Sequence, residues 1–117
     1  DTQRRYAALV PAMAAAGLTV DPSVPVITDF PIWYAEGTGG RALALPDEPP
    51  ASILDLARHF GAHLLVMIDK DHGRWPAVID AGGPDVGCFH EINLPVPSLT
   101  ADAAALPDTR VFRTGCP

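Results

Sequence analysis

The fold of this 117-residue chain is decided by residues 25–69, PVITDFPIWYAEGTGGRALALPDEPPASILDLARHFGAHLLVMID. Residues 24–28 are short, apolar and rich in β-branched side chains, and residues 63–68 (HLLVMI) are continuously apolar. Such runs are typical of strands that are covered on both faces of a sheet. Between them, residues 49–60 repeat apolar side chains with helical spacing before Gly61. This alternation predicts an α/β fold in which the two strands run parallel near the centre of the sheet.

Further elements are predicted on both sides of these strands. Residues 1–17 have one apolar face at helical spacing and predict a leading helix that ends at Gly17. A second helix is expected after Asp29, a short strand over residues 41–45, and a short helix over residues 75–81.

The C-terminal part of the chain predicts two strands, over residues 87–94 and 110–114, with a surface loop over 94–108. Because no helix separates these strands, we expect them to pair antiparallel at one edge of the sheet. The prediction for residues 1–117 is therefore a single domain. It would be a three-layer α/β/α sandwich whose partly parallel central sheet has antiparallel edge strands at the C-terminus.

The two cysteines, Cys88 and Cys116, stand at the start and the end of the two expected C-terminal strands. In an antiparallel pair these positions lie close together, so a disulfide is one interpretation and two unrelated thiols are the other. A bridge closing a loop of about 29 residues would stabilise the fold by roughly 3–4 kcal/mol. It would also require an oxidising compartment.

The composition excludes several classes of protein. Apolar residues make up 48% of the chain and charged residues 19%, which is typical of a folded protein. The net charge of −6, with only eight Lys and Arg, argues against nucleic acid as a partner. No apolar run reaches the roughly 18–20 residues of a membrane span, so we expect no direct membrane insertion by this segment.

Candidate chemistry concentrates where the two central strands end. Asp29 follows the first and Asp69 follows the second, and ligands of parallel sheets bind at the carboxyl ends of strands. With Asp71 and His72 they would suit a divalent ion, although the spacing matches no metal motif. The alternative is that Asp29 caps a helix and residues 69–74 form an exposed turn. No metal site, catalytic residue or cofactor is assigned.

Three aromatic residues have flat apolar faces that suit stacking on a sugar ring: Trp33, Tyr34 and Trp75. Their alternative role is to fill the core of the domain, which is the commoner use of such side chains.

The order of these motifs resembles the extracytoplasmic C-terminal tail of bacterial polytopic membrane glycosyltransferases related to the dolichyl-phosphate-mannose–protein mannosyltransferases. The tail's pattern includes a strand ending in T-D-x-P, an aromatic helix, a strand ending in L-P, a helix ending in L-A-R-x-x-G, and an apolar strand ending in Asp. The matching segments here are residues 25–31, 33–41, 44–46, 56–61 and 64–69, with 110–113 as the final strand. The Trp-Trp-Asp motif of larger relatives is not matched at residues 32–34.

The resemblance implies a location and a partner more than a mechanism. It implies a non-catalytic accessory domain outside the cytoplasm, attached to a membrane-spanning part that uses a polyprenyl-phosphate sugar, with a glycan or protein as acceptor. The start at Asp1 rather than Met is what we expect of a segment cut just after a membrane span. The alternative is a free-standing ligand-binding or regulatory module with its site at Asp29 and Asp69. A small hydrolase using an Asp–His pair is a third hypothesis.

Overall fold

A five-stranded mixed sheet forms the centre of the computed structural model, which describes residues 2–94 and 108–116. In chain order the elements are α1 (Thr2–Ala15), β1 (Val26–Thr28), α2 (Pro31–Thr38), β2 (Ala42–Ala44), α3 (Pro50–Phe60), β3 (Leu64–Met67), α4 (Ala77–Ala81), β4 (Phe89–Ile92) and β5 (Arg110–Thr114). A short 3₁₀ turn, Val86–Cys88, precedes β4. The predicted loop falls mainly on residues 95–107, outside the described residues.

The strands lie in the order β2-β1-β3-β5-β4. Strand β1 runs parallel to β2 and β3, and β5 runs antiparallel to both β3 and β4. The register aligns Ile27 with Leu65 and Leu65 with Phe112 across the three central strands. The prediction of an α/β fold with a partly parallel sheet and antiparallel strands at one edge is confirmed.

Helices cover both faces of the sheet because successive strand residues point to opposite sides. One face packs under α3 and is a cluster of buried side chains that includes Ile27, Leu45, Ile53, Leu54, Ala57, Leu65, Met67, Trp75, Phe89 and Phe112. The other face packs under α1 and α2 and includes Tyr6, Leu9, Met13, Val26, Tyr34, Val66, Ile68 and Val111. The described residues thus form the three layers that the sequence predicts.

The helix ends follow from local sequence. Helix α3 begins with prolines. They are tolerated there because the N–H groups of a first turn have no acceptor within the helix, so a missing N–H costs nothing. It ends at Gly61, whose φ of 69° is a left-handed conformation that glycine adopts without a steric penalty. Helix α1 continues through Pro11, which is exposed, so this proline does not divide the helix.

Candidate functional site

Asp29 lies at the carboxyl end of β1, with only 7% of its surface exposed. Its Oδ2 accepts hydrogen bonds from the backbone N–H groups of Asp69, at 2.9 Å, and Ile68, at 3.1 Å. The N–H of Ile68 is also 3.3 Å from Oδ1. Because both donors belong to the chain that leaves β3, this carboxylate joins the ends of two neighbouring parallel strands.

Tyr6, on α1, completes the surroundings of this carboxylate. Its hydroxyl donates to Asp29 Oδ1 at 2.8 Å and lies 2.6 Å from Thr28 Oγ1, while the N–H of Phe30 donates to the phenol oxygen at 3.3 Å. Burial raises the pKa of Tyr6 far above its usual value, so the phenol remains a protonated donor at physiological pH. We call Tyr6, Thr28 and Asp29, with the backbone N–H groups that they bind, the Asp29 crosslink.

The alternative interpretation of Asp29 as a helix cap is wrong. The residue at the N-cap position of α2 is Phe30, and no side chain makes a capping hydrogen bond there. Asp29 instead points across the sheet to the end of β3, and Pro31 supplies the fixed φ that begins α2.

The other polar residues predicted at this edge do not converge on one point. Asp69 accepts the N–H of Asp71 through Oδ1 at 2.9 Å, and Asp71 is itself exposed. The ring of His72 is directed elsewhere: its Nε2 lies 3.3 Å from the carbonyl oxygen of Leu45, and the ring makes an edge-type contact with Phe30. Within residues 2–94 and 108–116, no three His, Cys, Asp or Glu side chains are grouped so that they could hold a metal ion.

Of the three aromatic candidates, Trp75 is completely buried and cannot stack on a sugar. The other two, Trp33 and Tyr34, lie in different environments although they are neighbours on α2. Tyr34 is 1% exposed and makes an edge-to-face contact with Tyr6, with ring centroids 5.6 Å apart. Trp33 is 41% exposed, next to the largely exposed Ile32. Tyr34 is therefore a core residue, and Trp33 is the one whose ring can be reached from solvent.

A disulfide joins Cys88 and Cys116, whose Cα atoms are 4.4 Å apart. The N–H of Gly115 donates to the carbonyl oxygen of Cys88 at 2.9 Å, and Phe89 pairs with Thr114 across the two strands. The bridge therefore closes the end of the β4–β5 pair. This end of the sheet is the one where β3 begins, opposite the Asp29 crosslink.

Sequence reasoning missed a charged cluster around Arg110. The guanidinium donates to both carboxylate oxygens of Asp80, at 2.8 and 2.9 Å, and to both of Glu91, at 3.0 and 2.8 Å. These bonds raise the pKa of Arg110, and its side chain also covers the ring of Phe112. Knowing the β4–β5 register would have placed Arg110 near Glu91, but the sequence does not fix that register.

Two cavities open at the end of the sheet where β1 and β3 begin and β5 ends, opposite the Asp29 crosslink. The first, of about 270 Å³, lies between the end of α1 and strands β1, β3 and β5. The second, of about 410 Å³, lies on the α3 side, beside the segment that carries Cys116. His63, just before β3, lines both cavities. The sequence predicted no site at this end of the sheet, because ligands of parallel sheets bind at the carboxyl ends of the strands.

Comparison of the chain with protein-family models, with curated proteins and with solved structures finds no match. In the part of the chain that the structure describes, no helix is long and apolar enough to cross a membrane.

Proposed function

We propose that this chain is a non-catalytic accessory domain on the extracytoplasmic side of a membrane glycosyltransferase that uses a polyprenyl-phosphate sugar. The family is the one that the motifs of residues 25–69 resemble. The observation that carries the non-catalytic role is the state of Asp29, the acidic residue of the T-D-x-P motif. Its carboxylate is buried and already accepts hydrogen bonds from two hydroxyls, those of Tyr6 and Thr28, and from two backbone N–H groups.

A carboxylate in that state is poorly suited to acid–base chemistry. A general base must come within hydrogen-bond reach of a substrate proton, directly or through one water. Asp29 would have to give up donors from α1 and β3 before it could do so, which would separate elements of the fold. The same argument weighs against the alternative of a ligand site at Asp29 and Asp69.

The disulfide supports the extracytoplasmic part of the proposal. Disulfides persist in oxidising compartments and are rare in the reducing cytosol. The Cys88–Cys116 bridge closes the β4–β5 pair from within the chain, so it belongs to the stability of the domain itself. The proposed partners are the membrane-spanning part of the same parent chain and, through it, a glycan or protein acceptor.

The complete reading frame around these 117 codons tests the parentage. We expect several apolar segments of about 20 residues upstream of Asp1. A start codon immediately before Asp1 would contradict the proposal. In intact cells, Cys88 and Cys116 should react with a membrane-impermeant thiol reagent after reduction and not before it. Labelling that requires lysis of the cells would place the cysteines in the cytosol and contradict the proposal.

The non-catalytic role is tested in the parent enzyme by Asp29→Asn, with Asp71→Asn as the matched control. Transfer activity per folded molecule should equal that of the wild type for both variants, although Asp29→Asn lowers the yield of folded protein. A large loss of the turnover rate in fully folded Asp29→Asn, with Asp71→Asn unaffected, would show that Asp29 takes part in the reaction.

A further inference from the structure

The cavity of about 270 Å³ is lined by buried apolar side chains and by an exposed guanidinium. Met13, Leu18 and Tyr34 line its floor, and His63 and Arg113 stand on its rim. Met13 and Tyr34 are almost completely buried, so their positions are fixed by the core, whereas Arg113 is exposed. This combination of preformed apolar walls and a few polar groups is characteristic of small-molecule sites.

Two arginines, Arg41 and Arg113, form no ion pair within the described residues, and of these two Arg113 is the one that lines a cavity. Arg58, Arg74 and Arg110 each form ion pairs with carboxylates. Arg113 makes no ion pair within residues 2–94 and 108–116, although the chain has 14 Asp and Glu against eight Lys and Arg. In an acidic chain, a guanidinium that forms no ion pair among the described residues and stands beside a cavity is suited to bind the anionic group of a ligand.

Strand register explains why this guanidinium stands at the cavity. Arg113 pairs with Leu64 on β3 and with His90 on β4, and alternation along β5 places it on the same face as Val111. That face packs under α1 and α2. The following residue, Thr114, is directed to the other face and lines the second cavity.

The carboxylate on the cavity wall is already engaged. Asp21 Oδ1 accepts the N–H of Ser23 at 2.9 Å and its hydroxyl at 2.7 Å, and these bonds lower the pKa of Asp21. Asp21 therefore carries its charge in a local turn and forms no ion pair with Arg113 within the described residues.

The second cavity lacks the same feature. Its arginine, Arg58, is paired with Asp55 three residues earlier on α3. An anion entering there would have to displace a carboxylate that the chain supplies. Both cavities are lined by His63, so the availability of an arginine for an anion depends on Arg58 in the second cavity and on Arg113 in the first.

We propose that the cavity under Arg113 binds a small organic anion. The carboxylate or phosphate of the ligand would bond to Arg113 and His63, and its short apolar body would lie on Met13, Leu18 and Tyr34. Arg is suited to this role because its planar fork donates two parallel hydrogen bonds to either kind of head group. The cavity is near the lower limit of about 300 Å³ for ligand pockets, which restricts the ligand to a small molecule. The proposal does not depend on the proposed function.

Titration of the ¹⁵N-labelled chain, followed by two-dimensional NMR, tests the site with three probes of equal chain length: hexanoate, hexyl phosphate and hexan-1-ol. We expect saturable shifts at Leu18, His63 and Arg113 with at least one of the two anions. The neutral alcohol should bind at least about tenfold more weakly, since it loses a charge-assisted hydrogen bond. The tighter of the two anions identifies the head group.

Variants decide whether the anion sits under Arg113. Arg113→Gln should weaken binding at least about tenfold, whereas Arg58→Gln, with the same change of charge in the other cavity, should not. Leu18→Phe, which narrows the cavity without altering charge, should also weaken it. Equal effects of the two arginine variants, equal affinity for hexan-1-ol, or no saturable shift with either anion would each overturn the proposal. Because Arg113 and Leu18 lie at the surface or half-buried, the spectrum of each variant verifies its fold.

Discussion

Replacing Asp29 by Ala should destabilise the domain more than any other loss of a single acidic side chain discussed above. The substitution removes the acceptor used by the Tyr6 hydroxyl and by the N–H groups of Ile68 and Asp69. A buried donor that loses its acceptor costs about 1–3 kcal/mol. Tyr6 keeps its hydrogen-bonding contact with Thr28, and water can reach the partly buried Asp69 N–H, so the costs do not add fully. We therefore expect a loss of about 2–4 kcal/mol in the free energy of unfolding.

Equilibrium unfolding in urea measures this loss directly. Trp75 is completely buried and serves as the fluorescent reporter of the core. With an m-value of about 2 kcal/mol/M, in the middle of the usual range, the expected loss lowers the urea midpoint by roughly 1–2 M without changing m. The matched control is Asp71→Ala, which removes the same charge from an exposed side chain and should change stability by less than about 0.5 kcal/mol.

The two variants together test whether the hydrogen bonds of Asp29 stabilise the fold. If Asp29→Ala unfolds within about 0.5 kcal/mol of the wild type, the hydrogen bonds to Asp29 do not hold the fold together. If Asp71→Ala is as destabilising as Asp29→Ala, the effect reflects net charge at this edge and not the Asp29 crosslink.

Three further predictions concern other parts of the structure. The Arg110 guanidinium holds the pKa of Asp80 below its usual value. The pair therefore stabilises the fold above about pH 4 and loses this effect as pH falls through the lowered pKa. In thermal unfolding, Asp80→Asn should thus cost less than about 1 kcal/mol at pH 7. The cost should disappear once the pH is below the lowered pKa of Asp80, and a cost that persists in strong acid would contradict this. Reducing the Cys88–Cys116 bridge should lower stability by about 3–4 kcal/mol in urea unfolding with and without reductant, and a change below about 1 kcal/mol would refute the estimate. Trp75→Ala should lower the free energy of unfolding by about 3–5 kcal/mol, because the ring is fully buried and its Nε1 donates to the carbonyl of Glu48. Urea unfolding followed by circular dichroism measures this loss. A loss under about 1 kcal/mol would mean that the site collapses around the smaller side chain.

The architecture was predictable because apolar pattern and packing are tightly linked. In β3, Leu65 and Met67 enter the core under α3, while Val66 enters the core under α1 and α2. A strand with helices on both faces has no side that faces solvent, so its sequence is a continuous run of apolar residues. The sequence displays that run, and the helical spacing between the strands then predicts the layers.

The role of Asp29 was not predictable by the same means. An acidic residue after a strand is compatible with a cap, a ligand or a structural acceptor, and local sequence does not distinguish these roles. The partners that decide the matter are Tyr6, 23 positions earlier, and the N–H of Asp69, 40 positions later. Contacts over such separations depend on which elements pack together, and periodicity gives no information about that.

The distinction between residues that hold the fold together and residues that bind a ligand also applies to the motifs that resemble the glycosyltransferase tail. The T-D-x-P motif at the end of β1 consists of Thr28 and Asp29, which bind Tyr6 and the end of β3, and Pro31, which begins α2. Each of these residues serves the fold, so a chain that shares the motif is expected to share the architecture whether or not it shares an activity. What separates one such domain from another must then lie in side chains that the fold does not use. In the described part of this chain, Arg113 forms no ion pair and lines a cavity, so we expect ligand binding by this domain to depend on it.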